Sequence, residues 1–201
     1  MTGRIYISGA FTNLNYVRCK PNKDWLDNDP HFWKMPPTWG ICRTDYRKML
    51  NQGDYIFFVL PAGTTLPQTI YGYFKIAEHI THDDAYQHYP AKRMRSQNPN
   101  GNIIVDGTGN YNRFDENVHR KKFEAIRKHY IVGDRHDMAF LKKQQIESMA
   151  PQFLAVLNNV FVSNASTIFQ IIGRKGRVLN NLQTGKLLQW INDGRLSNIH
   201  Q

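Results

Sequence analysis

The chain has 201 residues, of which 41% are hydrophobic and 21% charged, and its formal net charge is +10. This composition is typical of a folded protein with a substantial core, and the positive charge favours an anionic partner such as nucleic acid. The 2 cysteines form no CxxC or zinc-ligand pattern, and no apolar stretch is long enough to span a membrane, so we expect a cytoplasmic protein without disulfides or a membrane partner.

The N-terminal region predicts one strand followed by a long loop. Residues 4–11, RIYISGAF, combine β-branched and aromatic residues before a glycine, which indicates a first strand. Residues 12–38 show no clear periodicity and contain several prolines. Loops of this length are usually functional or disordered, and the embedded aromatic side chains argue against disorder.

The next segment predicts a short helix and then a buried strand. Residues 44–53, TDYRKMLNQG, have helical spacing, with Thr44 or Asp45 as the N-cap and Gly53 as a left-handed C-cap. Residues 55–60, YIFFVL, form a continuous apolar run, which is typical of a strand buried on both faces.

The middle of the chain predicts two further strands separated by a polar excursion. Residues 70–80 have the composition of a strand, and residues 81–101 are polar and basic, so we expect an exposed loop there. Residues 102–107, NIIVDG, predict another short strand.

The C-terminal half predicts mainly helices. Apolar residues recur at helical intervals over 116–130, and a short strand is predicted at 130–134. Residues 138–161 predict two helices, with Pro151 as the first residue of the second one. A final helix is predicted over 184–193.

This order of elements predicts an α+β fold with a small, mixed or antiparallel sheet. We expect a single domain over residues 1–201. Two inserted loops, at about 12–38 and 81–101, and a helical C-terminal part from about 138 would complete it.

No pattern in the sequence points to catalysis, a cofactor or a metal. His79, His82 and the neighbouring carboxylates do not have HExxH spacing, and a solvated loop is the simpler interpretation. Ser8 and Cys42 lie in no known nucleophile motif, and no glycine-rich phosphate loop is present. The sequence therefore assigns no catalytic residues, no metal ligands and no cofactor.

Three basic clusters, at 92–95, 120–122 and 174–177, offer a better signal. They could form one electropositive surface, although a solvated face is the commoner role of each cluster taken alone. The cluster GRKGR is the most specific, because its glycines would let a phosphate backbone approach closely. Arg174 and Arg177 are therefore candidates for phosphate contacts.

Two tryptophans could supply base recognition. Trp33 and Trp39 flank a rigid Met-Pro-Pro segment, which could hold their rings as two walls around an unpaired base. The alternative is that both indoles cover the core, since tryptophan is highly buried on average.

The segment at 39–58, WGICRTDYRKMLNQGDYIFF, resembles the EVE domains of the PUA-like superfamily, which also contains ASCH and YTH domains. The shared pattern is W-G-x-x-R-x-x-x-R-x-M-x-x-G-D-x-x-F-F. Three more features agree with the family in their order along the chain. They are the first strand with Ser8, the strand at 70–79 and the region GRVLNNLQTGKLLQWI. The chain is also similar to nucleotide-modification-associated domains.

This resemblance implies a small curved β-barrel or mixed sheet flanked by helices, with a pocket for a flipped, modified base. Ser8 and Thr44 would make polar contacts in that pocket, and Trp33 and Trp39 would stack on the base. The arginines would contact phosphates or base edges; they are Arg43, Arg47, Arg174 and Arg177.

The sequence-based hypothesis is therefore a binding module for nucleic acid, DNA or RNA, that carries a modified base, or for a modified nucleotide. A nuclease or modification enzyme of the same system is a candidate protein partner. Two alternatives stay open. One is an enzyme of nucleotide or base modification that uses the same pocket, and the other is a general RNA-binding subunit.

Overall fold

The structure is a computed structural model. It describes residues 2–8, 29–32, 34–63, 66–98, 101–115 and 118–196. The chain divides into two compact units. The first unit comprises residues 1–20, 53–75 and 138–201, and the second comprises residues 21–52 and 76–137. The single domain over 1–201 stays a prediction.

The described residues contain a six-stranded sheet and six α-helices. The strands are β1 (Gly3–Ile7), β2 (Thr38–Trp39), β3 (Tyr55–Val59), β4 (Ile70–Ile80), β5 (Tyr130–Phe140) and β6 (Arg177–Leu179). The helices are α1 (Thr44–Arg47), α2 (His82–His88), α3 (Phe123–Arg127), α4 (Lys143–Phe161), α5 (Ile168–Ile172) and α6 (Asn181–Leu196). The strand order is β2-β5-β4-β3-β1-β6. Strands β1 and β3 are parallel, whereas the pairs β1–β6, β2–β5 and β3–β4 are antiparallel. The predicted α+β fold with a mixed sheet is confirmed.

In the first unit, β3 is the most deeply buried strand. All of its residues are buried, and it pairs with β1 on one side and β4 on the other. Because its side chains are buried on both faces of the sheet, an uninterrupted apolar run is the pattern we expect. The strand predicted at 55–60 is confirmed.

Helix α4 is continuous across Pro151, so the predicted break at that residue is wrong. Its buried residues Met149, Phe153 and Leu157 stay in helical phase on both sides of the proline. Packing of this apolar face against α5 and α6 outweighs the lost hydrogen bond. Helix α6 begins at Asn181, three residues earlier than predicted.

In the second unit, the polar segment from residue 81 forms helix α2 rather than an exposed loop. Thr81 caps this helix: its Oγ1 accepts a hydrogen bond from the N–H of Asp84 at 3.1 Å, and the Asp84 carboxylate bonds back to Thr81. The motif T-x-x-D is a capping box, and it is the signal that the sequence interpretation missed.

Two other predictions for this unit need correction. Residues 102–107 form only isolated bridges, Ile103 with Arg93 and Val105 with Tyr111, instead of a strand. The helix predicted over 116–130 is limited to α3, preceded by a 3-10 turn at Arg120–Lys122. Three apolar residues of these segments, Ile103, Val105 and Ile126, are nevertheless buried.

Candidate nucleic-acid interface

Two of the residues predicted to line a base pocket, Ser8 and Trp39, are buried. Ser8 is 2% exposed, and its N–H donates to the carbonyl of Val59 at 2.9 Å, in the first unit. Trp39 belongs to β2 in the second unit, and its side chain is 0% exposed. Trp33 lies outside the described residues. The indole of Trp39 thus has no accessible face in this structure.

Arg43 is partly exposed and its charge is already paired. It precedes helix α1 with a left-handed backbone (φ 54°), and its guanidinium binds the Asp45 carboxylate in two hydrogen bonds of 2.9 and 2.8 Å. The same group lies 4.4 Å from the ring centroid of Tyr46. Thr44 is the first residue of α1, and its hydroxyl accepts a hydrogen bond from Arg47 at 3.1 Å.

Arg47 is fully buried and holds the surrounding loop together. Its guanidinium donates to the backbone carbonyls of Ile41 (2.8 Å), Cys42 (3.0 Å) and His129. Burial lowers the pKa of Arg47 to about 10, against the opposing effect of Asp29. Although Arg43 and Arg47 are four residues apart, they do not form one exposed face, because Arg43 precedes the helix and Arg47 points inward.

A buried carboxylate, Asp29, completes this network. It accepts the N–H groups of Gly40 (2.6 Å), Ile41 (2.9 Å) and Cys42. Burial raises the pKa of Asp29, while the charge of Arg47 and these N–H donors act in the opposite direction. Sequence analysis missed Asp29, because nothing in the local sequence ties it to residues that lie eleven or more positions later.

His82 of α2 also serves this buried network. Its Nε2 donates to the carbonyl of Gly40 at 2.7 Å, and its Nδ1 accepts the N–H of Ile104 at 3.2 Å. Burial, with a further contribution from Arg47, lowers the pKa of His82 to about 3. The ring is therefore neutral near pH 7 and has both nitrogens occupied, as befits a structural histidine.

The basic cluster at 92–95 is split between the interior and the surface. Lys92 is 1% exposed and donates to the backbone carbonyl of Lys34, and its Nζ lies 3.4 Å from His31 Nδ1. Burial first, and then the charge of Lys34, lower the pKa of Lys92 to about 7. Arg93 and Arg95 instead point outward and line a pocket.

Two adjoining pockets of the second unit bring together two of the three basic clusters. One has a volume of about 390 Å³ and the other about 940 Å³, and both are lined by Tyr111 and Arg113. Their basic residues are Arg93, Arg95, Arg113, Arg120, Lys121 and Lys122. Their aromatic residues are Tyr86, Tyr111, Phe114 and Phe123. We name these ten residues the arginine–aromatic surface.

Cations of this surface lie over its rings. The guanidinium carbon of Arg93 is 4.1 Å from the ring centroid of Tyr86, and that of Arg113 is 5.0 Å from Phe114. Arg120 lies 6.0 Å from the ring centroid of Tyr111. These distances are within the range of cation–π attraction, which orients the planar guanidinium groups.

The loop that carries Tyr111 is held by Asp115. The Asp115 carboxylate is nearly buried and accepts hydrogen bonds from the Tyr111 hydroxyl, and from the backbone N–H (3.0 Å) and Nδ1 (3.0 Å) of His119. Asn112 is 4% exposed, and its amide donates to the carbonyl of Met94 at 2.9 Å. Tyr111 and Arg113 therefore project from an anchored backbone rather than from a free loop.

The third basic cluster belongs to the first unit. Gly173 and Gly176 both have positive φ, 68° and 62°, and Arg174 between them is exposed. Arg177 lies 4.2 Å over the ring of Phe161 and donates to the carbonyl of Ile171 at 3.0 Å. The phosphate role of these two arginines stays a prediction.

Within the described ranges, no group of three or more His, Cys, Asp or Glu residues is placed to hold a metal ion. None of the described helices is both long and apolar enough to cross a bilayer. Comparison with protein-family models, curated proteins and solved structures gave no match for this chain.

Proposed function

We propose that this protein binds single-stranded nucleic acid through the arginine–aromatic surface of its second unit. The observation that carries the proposal is the meeting of two basic, aromatic pockets at Tyr111 and Arg113. Cationic groups and accessible rings on one continuous surface are the features that single-stranded binding sites share.

The charge of this surface suits a phosphate backbone. Six basic residues line the two pockets, against two carboxylates, Asp106 and Glu124. A cluster of like charges costs stability unless counterions or a polyanion neutralise it, and a nucleic acid would do so with release of its own counterions. The net charge of +10 would assist the encounter at a distance.

The aromatic content favours single strands over a duplex. Unpaired bases can stack on exposed rings and on arginine planes, whereas duplex bases are already stacked on each other. Phe114 is 36% exposed in the smaller pocket, and Arg113, which lines both pockets, lies over its ring. Stacking on such groups contributes roughly 1–3 kcal/mol per base.

Recognition of a modified base and a PUA-like fold remain proposals that rest on the sequence resemblance. The residues that would carry base recognition are Ser8 and Trp39, both buried, and Trp33, which lies outside the described residues. A nuclease or modification enzyme as a partner is likewise a proposal from the resemblance. The arginine–aromatic surface supports binding without any of these additions.

The test is equilibrium binding to fluorescently labelled oligothymidylate and oligouridylate of about sixteen nucleotides, within the site sizes of single-stranded binding folds. Anisotropy would be measured over a series of salt concentrations, with a duplex of equal length as the competitor. We expect the single strands to bind more tightly than the duplex. The logarithm of affinity should fall linearly with that of salt, by about 0.7 for each phosphate neutralised.

Arg113→Ala is the decisive variant, because Arg113 lines both pockets. It should weaken binding and reduce the salt slope by about 0.7. Lys143→Ala in α4 is the matched control, since it also removes one positive charge but lies in the first unit, where Lys143 faces Glu147 at 3.6 Å. Equal affinity of wild type and Arg113→Ala, or no binding by either, would overturn the proposal.

A further inference from the structure

The smaller pocket of the arginine–aromatic surface contains one carboxylate, and a site built only for phosphate would not need it. Asp106 lines this pocket of about 390 Å³ together with Arg93, Arg95 and Arg113. A carboxylate repels phosphate but accepts hydrogen bonds from base edges. The pocket therefore has a group suited to reading a base.

Asp106 is fixed so that one of its oxygens is available. Its Oδ1 accepts the N–H of Thr108 (2.8 Å), the hydroxyl of Thr108 (2.8 Å) and the N–H of Asn110 (3.0 Å). Among the described residues, no donor binds Oδ2. These hydrogen bonds, led by that from the Thr108 side chain, lower the pKa of Asp106, so the carboxylate is ionised at neutral pH.

The arginines of the pocket differ in what they can still bind. Nε of Arg93 donates to the carbonyl of Tyr86 (2.7 Å), and one Nη of Arg95 donates to the carbonyl of Pro90 (2.7 Å). Within the described chain, the guanidinium of Arg113 makes no hydrogen bond and lies 5.0 Å from the ring centroid of Phe114. Arg113 thus offers a complete donor fork beside an acceptor, Asp106 Oδ2.

Guanine matches this pair of groups best. Its Watson–Crick edge carries two adjacent donors, N1–H and N2–H, and its O6 and N7 are two acceptors that a guanidinium fork binds together. Thymine and uracil offer a single donor between two carbonyl oxygens, which a carboxylate would repel. Adenine and cytosine each offer one amino donor next to a ring acceptor.

We infer that this pocket is a guanine subsite, in which Oδ2 of Asp106 accepts the adjacent N1–H and N2–H donors while Arg113 binds O6 and N7. The inference rests on the proposed binding of single strands by the arginine–aromatic surface. The ring of Phe114 or Tyr86 would form the stacking floor. Guanine could arrive within a strand or as a free mononucleotide, and both have the same base edge.

The experiment compares oligothymidylate of about twelve nucleotides with the same oligomer that carries one central guanine, because a single guanine cannot form a quadruplex. We expect the guanine to raise affinity about tenfold, a typical discrimination for one bidentate contact. Replacing that guanine by hypoxanthine removes only the N2 amino group and should reverse part of the gain. Competition by guanosine monophosphate against adenosine monophosphate tests the free nucleotide as the source.

Asp106→Asn is the specific variant, since Asn can keep the Oδ1 hydrogen bonds but places a donor where Oδ2 was. It should abolish the preference for guanine and, because a carboxylate that repels phosphate is lost, raise the affinity for oligothymidylate slightly. Asp134→Asn is the matched control, because Asp134 also accepts one local N–H, that of His136 at 2.8 Å, and lies outside the pocket. The control should retain the tenfold preference.

The outcomes separate the inference from the function on which it rests. If neither oligomer binds, the proposed function itself is wrong. If both bind equally, or if Asp106→Asn still prefers guanine, the guanine subsite is wrong although the surface binds single strands. Thermal unfolding checks that Asp106→Asn is folded, and the hypoxanthine comparison decides the matter in the wild-type protein if it is not.

Discussion

Two regions of the second unit combine arginines with aromatic residues, and they use them in opposite ways. In the segment from Trp39 to Arg47, the tryptophan is fully buried, and Arg47 donates hydrogen bonds to three backbone carbonyls. In the arginine–aromatic surface, Arg113 lies over Phe114 at the junction of two pockets. The same residue types are therefore structural in one region and accessible in the other.

The number of backbone carbonyls within reach separates Arg47 from Arg113. Residues 40–42 form a loop whose N–H groups bind Asp29, and this arrangement leaves the carbonyls of Ile41 and Cys42 for Arg47. No such set of carbonyls faces Arg113 among the described residues. Substitutions in the buried segment should therefore change stability, and substitutions in the arginine–aromatic surface should change binding.

The largest effect should come from Arg47→Ala. It leaves three buried or part-buried carbonyls without their donor and removes the charge that favours ionised Asp29, so we expect a loss of about 3–5 kcal/mol in the free energy of unfolding. Urea denaturation followed by circular dichroism measures this loss. Binding of oligothymidylate by the folded fraction should stay unchanged, since Arg47 is fully buried.

Arg43→Ala is the control for that measurement. The Arg43–Asp45 ion pair is partly exposed, with side-chain exposures of 25% and 59%, so its loss should cost less than about 1 kcal/mol. If Arg47→Ala weakened nucleic-acid binding without affecting stability, the buried region would be a binding site after all and the contrast would collapse.

The second prediction concerns Gly40, which follows Trp39 and belongs to the Asp29 network. A Cβ at this position would lie 2.4 Å from the carbonyl oxygen of Asn102 and 2.6 Å from the ring of Tyr130. Gly40→Ala should therefore destabilise the protein by roughly 1–3 kcal/mol, the usual cost of overpacking.

Gly185→Ala is its matched control in helix α6, where no atom lies within 4 Å of an added Cβ. Alanine is the better helix former, so this variant should gain about 0.5–1 kcal/mol. Thermal melting of both variants gives the comparison. If Gly40→Ala were tolerated, the loop would be able to move. That outcome would contradict the rigid, structural role that we assign to this region.

Much of the fold followed from periodicity in the sequence. The strand at 55–60 was predictable because burial of both faces leaves a continuous apolar run, and the strand at 70–80 was predictable from its composition. Helix α2 was missed although its T-x-x-D capping box is local, since its polar composition suggested a loop. Pro151 was given too much weight against an apolar face that continues past it.

The candidate site was harder to predict, because inward and outward cations look alike in a sequence. Lys92 and Arg93 are adjacent, yet the first is buried and the second lines a pocket. The approach of residues 92–95 to residues 120–122 depends on Tyr111 and Arg113, which lie between the strand predicted at 102–107 and the helix predicted at 116–130. Such long-range contacts are determined by packing and leave no periodic pattern in the sequence.

A smaller effect is expected from the buried amine of Lys92. Its ordinary pKa of 10.5 is lowered to about 7 in the folded protein. Between these two values the unfolded chain binds more protons, so stability should rise with pH above about 7. The slope contributed by Lys92 is at most about 1.4 kcal/mol per pH unit.

Lys92→Met tests this prediction, because methionine keeps the length of the side chain without a charge. The variant should show a flatter rise of stability between pH 7 and the ordinary pKa of 10.5. Chemical denaturation of both proteins at several pH values measures the slopes. Parallel curves would show that Lys92 is solvated like Arg93 and Arg95, and that the cluster at 92–95 is not divided.

The smallest effect should come from Arg120→Lys, which sharpens the outward side of the contrast. The charge is kept, but lysine cannot lay a planar group over the ring of Tyr111, as Arg120 does at 6.0 Å. A base stacked on the Arg120 guanidinium would lose that contact, and exposed cation–π contacts contribute about 0.5–1 kcal/mol, so affinity for oligothymidylate should fall about two- to fivefold while the salt slope stays the same. If the affinity is unchanged, the surface acts through its charge alone. If the salt slope falls as well, Arg120 contacts a phosphate directly, because only a lost counterion release can change that slope.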